Sequence, residues 1–108
     1  MMAYVYLLHF EQPISPVHTC QHYIGFAENL PARIQLHEIG RGARLTAVAK
    51  ERQIGFQVVR IWRGDRWLER KLKDQKRGGR LCPVCHPIKQ RSLFELSAAQ
   101  IEEELLVF

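Results

Sequence analysis

Apolar residues fall in short blocks separated by polar or Gly- and Pro-bearing turns, and the spacing inside each block sets the element it predicts. Tyr4 to Phe10 (YVYLLHF) is a nearly unbroken aromatic and aliphatic run of strand length, stopped by Pro13, Ser15 and Pro16. His22 to Phe26 (HYIGF) predicts a second short strand, most economically paired with the first as an antiparallel hairpin with a long loop. Asn29 is placed to cap a helix running to about Ile39, with Pro31 tolerated in its first turn and Gly40 ending it. On that helix Leu30 and Ile34 point inward, and Arg33 and His37, four residues apart, share one face.

A basic turn (Gly40, Arg41, Gly42, Arg44) leads into a second helix, Ala43 to about Arg52, with Leu45, Val48 and Ala49 as its apolar stripe. Phe56 to Trp62 (FQVVRIW) has the β-branched density of a third strand. Arg63, Gly64 and Asp65 turn the chain, and Asp65 can cap a helix from Arg66 to about Arg77 that stops at Gly78 and Gly79. Leu68 and Leu72 are its inward residues, with Glu69 beside them among Arg66, Arg70, Lys71 and Lys73. After a CPVCHP turn, Leu96 and Ile101 bracket a Ser97-x-x-Gln100 capping box that starts a final helix. With no internal repeat and no linker, the pattern predicts one domain over 1–80 and an extension over 81–108 packed on it.

Composition changes this picture little. The 108 residues are 46% hydrophobic, enough for one globular core. No apolar stretch reaches the roughly 20 residues a membrane-spanning helix needs, and the opening MMAYVYLLHF lacks the marks of an export signal, so the expected location is cytoplasmic. Charge changes it more. Sixteen Lys and Arg against eleven Asp and Glu give +5, yet all sixteen bases lie between Arg33 and Arg91. Against the five acids Glu38, Glu51, Asp65, Glu69 and Asp74, that segment carries +11, a pattern that faces a polyanion rather than a merely solvated surface.

YVYLL at 4–8, YIGFAENLPARIQLHEIG at 23–40 and LERKLK at 68–73 resemble the GIY-YIG nuclease domain, over about residues 3–77. The most specific part is Tyr23-Ile24-Gly25 followed by Asn29-Leu30, Arg33 and His37 at the family's spacing; Tyr4-Val5-Tyr6 stands for the first motif. The resemblance implies a small α/β (α+β) fold, a three-stranded antiparallel sheet flanked by helices, in agreement with the element order. It also implies metal-dependent hydrolysis of DNA phosphodiester bonds, with Tyr6, Tyr23, Arg33, His37 and Glu69 as catalytic residues. Tyr4 stands where the family name has glycine, and Phe26 where the repair nuclease of the family has a lysine.

These residue types suit that chemistry. Phosphodiester hydrolysis needs an oriented water, stabilised phosphoryl charge and a neutralised leaving oxygen. By resemblance Glu69 is the ligand of Mg²⁺ (or Mn²⁺), and a single carboxylate suits an ion that keeps several waters. Its structural alternative is an ion pair with Arg66 or Lys73 at helical spacing. Arg33 matches the arginine that holds the scissile phosphate. Tyr6 matches the proposed general base, a role that requires nearby cations or the metal to lower its phenol pKa from about 10. Tyr23 and His37 would complete the hydrogen-bonding shell, while Arg41, Arg44, Arg66, Arg70 and Lys73, in an Arg-rich surface reaching Arg80, would grip backbone phosphates.

Cys82-Pro83-Val84-Cys85-His86 matches the c-type haem attachment string, a reading set aside because no export signal precedes it. As half of a Zn²⁺ site, Cys82 and Cys85 need two more ligands, with His86, His22, His18 or Cys20 as candidates; the alternative is a tight turn with two partly buried thiols. Three functions are therefore expected to compete: a DNA endonuclease, a non-catalytic nucleic-acid-binding domain of the same fold, and a zinc-stabilised interaction module. A chain this small leaves little room to read a target, so specificity is expected to be weak, shape-based or lent by a protein partner.

Overall fold

The computed structural model of the chain describes residues 3–16, 21–74, 81–86 and 95–106. Its elements run β1 (Tyr4–Phe10), β2 (His22–Ala27), α1 (Leu30–Glu38), α2 (Arg44–Glu51), β3 (Phe56–Arg63), α3 (Arg66–Asp74) and α4 (Ala98–Leu106). They form an α+β fold with one antiparallel sheet in the order β2-β1-β3. The expected continuation of α3 to Arg77, its Gly78–Gly79 stop, and the candidates His18, Cys20 and Arg80 lie outside the described residues. Among the described residues no helix is long and apolar enough to cross a membrane.

β1 is the central strand, and all seven of its residues are buried. This explains why YVYLLHF lacks polar alternation: both faces of the strand are covered. Tyr4, Tyr6 and Leu8 pack with Leu30 and Ile34 of α1 and with Leu96 just ahead of α4. Phe10 carries the same face on to Ala49 of α2 and Ile54. On the opposite face Val5 and Leu7 meet Ile24, Trp62, Leu72 of α3 and Cys82. Burying a Leu or Ile side chain in this way stabilises by about 1.5–3 kcal/mol.

Local signals set the helix ends. Asn29 Oδ1 accepts from Ala32 N–H at 3.2 Å and starts α1. At its other end Gly40, at φ +79°, lets Arg41 N–H reach Leu36 O at 2.8 Å and Gly40 N–H reach His37 O at 3.1 Å, a Schellman closure. Asp65 Oδ1 takes the Leu68 N–H at 3.1 Å at the start of α3. Before α4, Ser97 N–H donates to Gln100 Oε1 at 2.8 Å and Gln100 N–H to Ser97 Oγ at 3.3 Å, a reciprocal capping box.

The residues after 80 close the core. Glu95 bridges to Trp62 on the outer edge of β3, and Leu96 N–H donates to Ile61 O at 2.8 Å. Arg60 of β3 holds Glu95 with two guanidinium hydrogen bonds, one of them at 2.9 Å, and donates a third to Leu81 O at 3.2 Å. Both side chains are almost wholly buried, and the Arg60 guanidinium lies 4.7 Å from the Trp62 ring centroid.

Candidate active-site cleft and metal-ligating cluster

The free edge of the sheet is β2, and a cleft of about 770 Å³ runs along it between α1 and α3. Tyr23 and Phe26 of β2, Arg33 of α1, and Arg66, Trp67 and Glu69 of α3 line it. Tyr6 lies behind the cleft on β1, fully buried, opposite Gly25 in the β1–β2 register. A Cβ at Gly25 would sit 2.3 Å from the Tyr6 hydroxyl and 2.8 Å from Tyr23 Cε2. The glycine of the Tyr-Ile-Gly motif is therefore the space into which the Tyr6 phenol fits.

His37 shares the buried stripe of α1 with Leu30 and Ile34. Its ring stands edge-on to Tyr6 and Tyr23, centroids 5.6 and 5.4 Å away. Nε2 is 2.5 Å from the Tyr6 hydroxyl and Nδ1 is 2.9 Å from Thr46 Oγ1 of α2. Thr46 donates its one hydroxyl hydrogen to Ala43 O at 3.0 Å and accepts the Ala43 N–H at 3.1 Å. The network thus assigns the imidazole proton to Nδ1, leaves Nε2 as acceptor, and makes Tyr6 the donor to it. Burial first, and the Arg33 charge second, lower the His37 pKa to about 4, so the ring is neutral near pH 7. Gly42 is the counterpart of Gly25, since a Cβ there would lie 2.3 Å from His37 Nδ1.

Burial pushes the Tyr6 phenol up to about 12, opposed by a hydrogen bond to Arg33 and by the Arg33 charge. The phenolate needed for a free general base is thus not populated near neutrality in the metal-free protein; its surroundings instead offer the Tyr6 proton an acceptor in His37. The Arg33 pKa is raised, chiefly by its hydrogen bond to Tyr6, against its own desolvation. Arg33 Nε is buried and has no hydrogen-bond partner among the described residues.

Glu69, its side chain 13% exposed, pairs with Lys73 Nζ at 2.9 Å through Oε2 and with the exposed Arg66 at 3.6 Å through Oε1. Both pairings weighed from the sequence are present, and Glu69 also faces the cleft. Lys73 Nζ lies 5.7 Å from the Tyr23 ring centroid, and the Arg66 guanidinium 4.5 Å from that of Phe26. The Phe26 ring thus holds a cation at the edge of the cleft.

Tyr6, Tyr23, Arg33, His37 and Glu69 are therefore brought together. Arg66 lines the cleft; Arg70, exposed on α3, and Arg41 and Arg44, exposed around the start of α2, are not among its lining residues. Arg60, counted from the sequence with the cationic segment, is buried and paired and contributes nothing to that surface.

A second cluster lies on the other face of the sheet. His9 and His22 are cross-strand partners on β1 and β2, and Cys82 and Cys85 of the CPVC turn come up against them. One ligand atom from each of the four lies within 4.8 Å of every other, an arrangement that could hold a metal ion. His22 was among the candidate ligands read from the sequence; His86 is exposed and outside the cluster. His9 was missed. The signal that finds it is the hairpin register: pairing Tyr6 with Gly25 places His9 opposite His22, both in the phase opposite to Tyr6.

No family model, curated protein or solved structure matches this chain, so its likeness to GIY-YIG nucleases rests on the motif residues.

Proposed function

We propose that this chain is a metal-dependent endonuclease that hydrolyses DNA phosphodiester bonds in the cleft along β2. The observation that carries the reading is Arg33: a guanidinium in the cleft wall, beside Tyr23 and Glu69, with a buried N–H that has no partner among the described residues. The planar guanidinium offers a phosphate fixed, charged donors at the cleft wall. The donors available for a divalent ion are hard oxygens, which fit Mg²⁺ or Mn²⁺. Glu69 would hold the ion through Oε1, the oxygen facing only the long contact to exposed Arg66. Bound there, the ion would supply Lewis-acid stabilisation of the phosphoryl and leaving oxygens.

The remaining roles follow from the side chains. Arg33 binds and orients the phosphate and meets the charge that grows on it. Tyr23, at the cleft surface, orients the attacking water. Tyr6, buried behind the cleft, donates to His37 Nε2, which Thr46 keeps as an acceptor, and through its hydrogen bond to Arg33 holds that guanidinium in place. Trp67, 67% exposed at the cleft edge with Lys71 Nζ 5.1 Å from its ring, offers a plane for a base to stack on.

The full burial of Tyr6 and the double pairing of Glu69 favour a second reading, a nucleic-acid-binding domain that does not cleave. One experiment separates the two: labelled duplex, flap and branched DNA and their RNA counterparts, with and without Mg²⁺, beside Glu69→Ala. Cleavage of DNA that needs the metal and is lost in the variant supports the nuclease. Binding that falls steeply with salt, with no cleavage of any substrate, establishes the binding domain instead.

A further inference from the structure

We propose that His9, His22, Cys82 and Cys85 bind one zinc ion in a closed, tetrahedral, structural site that clamps the CPVC turn to the β1–β2 hairpin. This inference does not depend on the reading of the cleft, whose lining includes none of the four residues. The distances carry it. Zinc bonds of about 2.0–2.1 Å to nitrogen and about 2.3 Å to sulfur imply tetrahedral edges of about 3.3 Å between nitrogens and about 3.6 Å between nitrogen and sulfur. His9 Nδ1 is 3.2 Å from His22 Nε2, and His9 Nδ1 is 3.4 Å from Cys82 Sγ and 3.8 Å from Cys85 Sγ. Cys85 Sγ is 3.4 Å from His22 Nε2. These four of the six edges are close to those of a zinc tetrahedron, the other two are within 4.8 Å, and neither thiol is in a disulfide.

The donor set selects the metal. Two imidazole nitrogens and two thiolates are borderline to soft ligands, suited to zinc and unsuited to Mg²⁺ or Ca²⁺. Four protein ligands leave no open position for water or substrate, the mark of a structural rather than a catalytic zinc. Binding replaces two S–H protons by the ion, so zinc enters with both imidazoles neutral, two protons leave to solvent, and the filled site has no net charge. Cys82 is buried among Val5, Leu7 and Trp62, whereas Cys85 is exposed and gives the ion its way in.

The site would also tie together distant parts of the chain. The contact between Cys82 and His9 spans 73 residues, and that between Cys85 and His22 spans 63. The ion would thus fix β2, the strand whose next residue, Tyr23, faces the cleft. Because the apo ligands must otherwise be gathered on folding, zinc affinity adds to folding stability.

The test uses the full reduced chain. Metal analysis should find one zinc per chain, and Co²⁺ added to the chelator-stripped protein should give the intense visible bands and thiolate charge-transfer absorption of a tetrahedral site. Cys85→Ser, at an exposed position, should weaken zinc binding by more than about 100-fold while the far-ultraviolet circular dichroism keeps its folded form. His22→Ala should do the same. Stripping zinc from the wild type should lower its melting temperature, and stoichiometric zinc should restore it. No zinc uptake by the reduced wild type, an octahedral cobalt spectrum, or full occupancy in both variants would each overturn the proposal.

Discussion

The Tyr6 hydroxyl donates to His37 Nε2 across 2.5 Å, joining the central strand to α1 inside the core rather than at the protein surface. The bond requires a neutral imidazole, since protonated His37 has no acceptor at Nε2. Acid therefore acts on the core itself.

The sign follows from the two pKa values. In the unfolded chain the ring titrates near 6.5, and folded it titrates near 4 because it is buried and lies near Arg33. Between those values the unfolded chain binds the extra proton, so stability falls as pH drops through that window, by about 3 kcal/mol from this residue, and is unaffected by it above pH 6.5. Urea unfolding at intervals from pH 7 to pH 4 should show this, with a shallower acid slope in His37→Gln. Equal slopes would mean that the folded ring takes a proton as readily as the unfolded one.

Gly25→Ala places a methyl group against the Tyr6 hydroxyl and the Tyr23 ring, where the built Cβ comes within 2.3 Å. The expected loss is about 1–3 kcal/mol by denaturant midpoint. An unchanged midpoint would show that the Tyr6 side chain is not seated over Gly25.

Arg60 and Glu95 stabilise only as a pair. Arg60→Ala takes the guanidinium away from a buried carboxylate, and the expected cost is about 3–5 kcal/mol. Replacing both, with Arg60→Met and Glu95→Leu, should recover most of it, because neither charge is then left buried. A double variant as unstable as the single one would show that the pair contributes net stability beyond its own desolvation.

Within the nuclease reading, Arg33→Ala should lower the cleavage rate by roughly 10²–10³-fold. Duplex binding should change far less, because Arg66, Arg70 and the other exposed bases remain. Gel-shift titration beside single-turnover cleavage separates the two effects; equal losses in both would make Arg33 a binding contact rather than a group acting on the reacting phosphate.

What could be read from the sequence is what acts over a few residues. The caps at Asn29, Asp65 and Ser97 each reach three positions along the chain, and every one forms as the residue types predict. The three strands and the pairing of β1 with β2 follow from runs of apolar residues and the turns between them, and Arg33, His37, Tyr6 and Tyr23 do converge. The rest depends on pairings between distant residues. Thr46 reads as an ordinary helical residue until α2 packs against His37. His9 is one more member of a hydrophobic strand until the hairpin register is known. Glu95 reads as one more acid near the end of the chain and Arg60 as one base of the cationic segment, and their charges cancel inside the core.

That pairing also sets an order of events during synthesis. Arg60 emerges from the ribosome 35 residues before the carboxylate it needs. Without Glu95, seating β3 in the sheet would bury the Arg60 guanidinium beside Trp62 away from the carboxylate that neutralises it, at a large electrostatic cost.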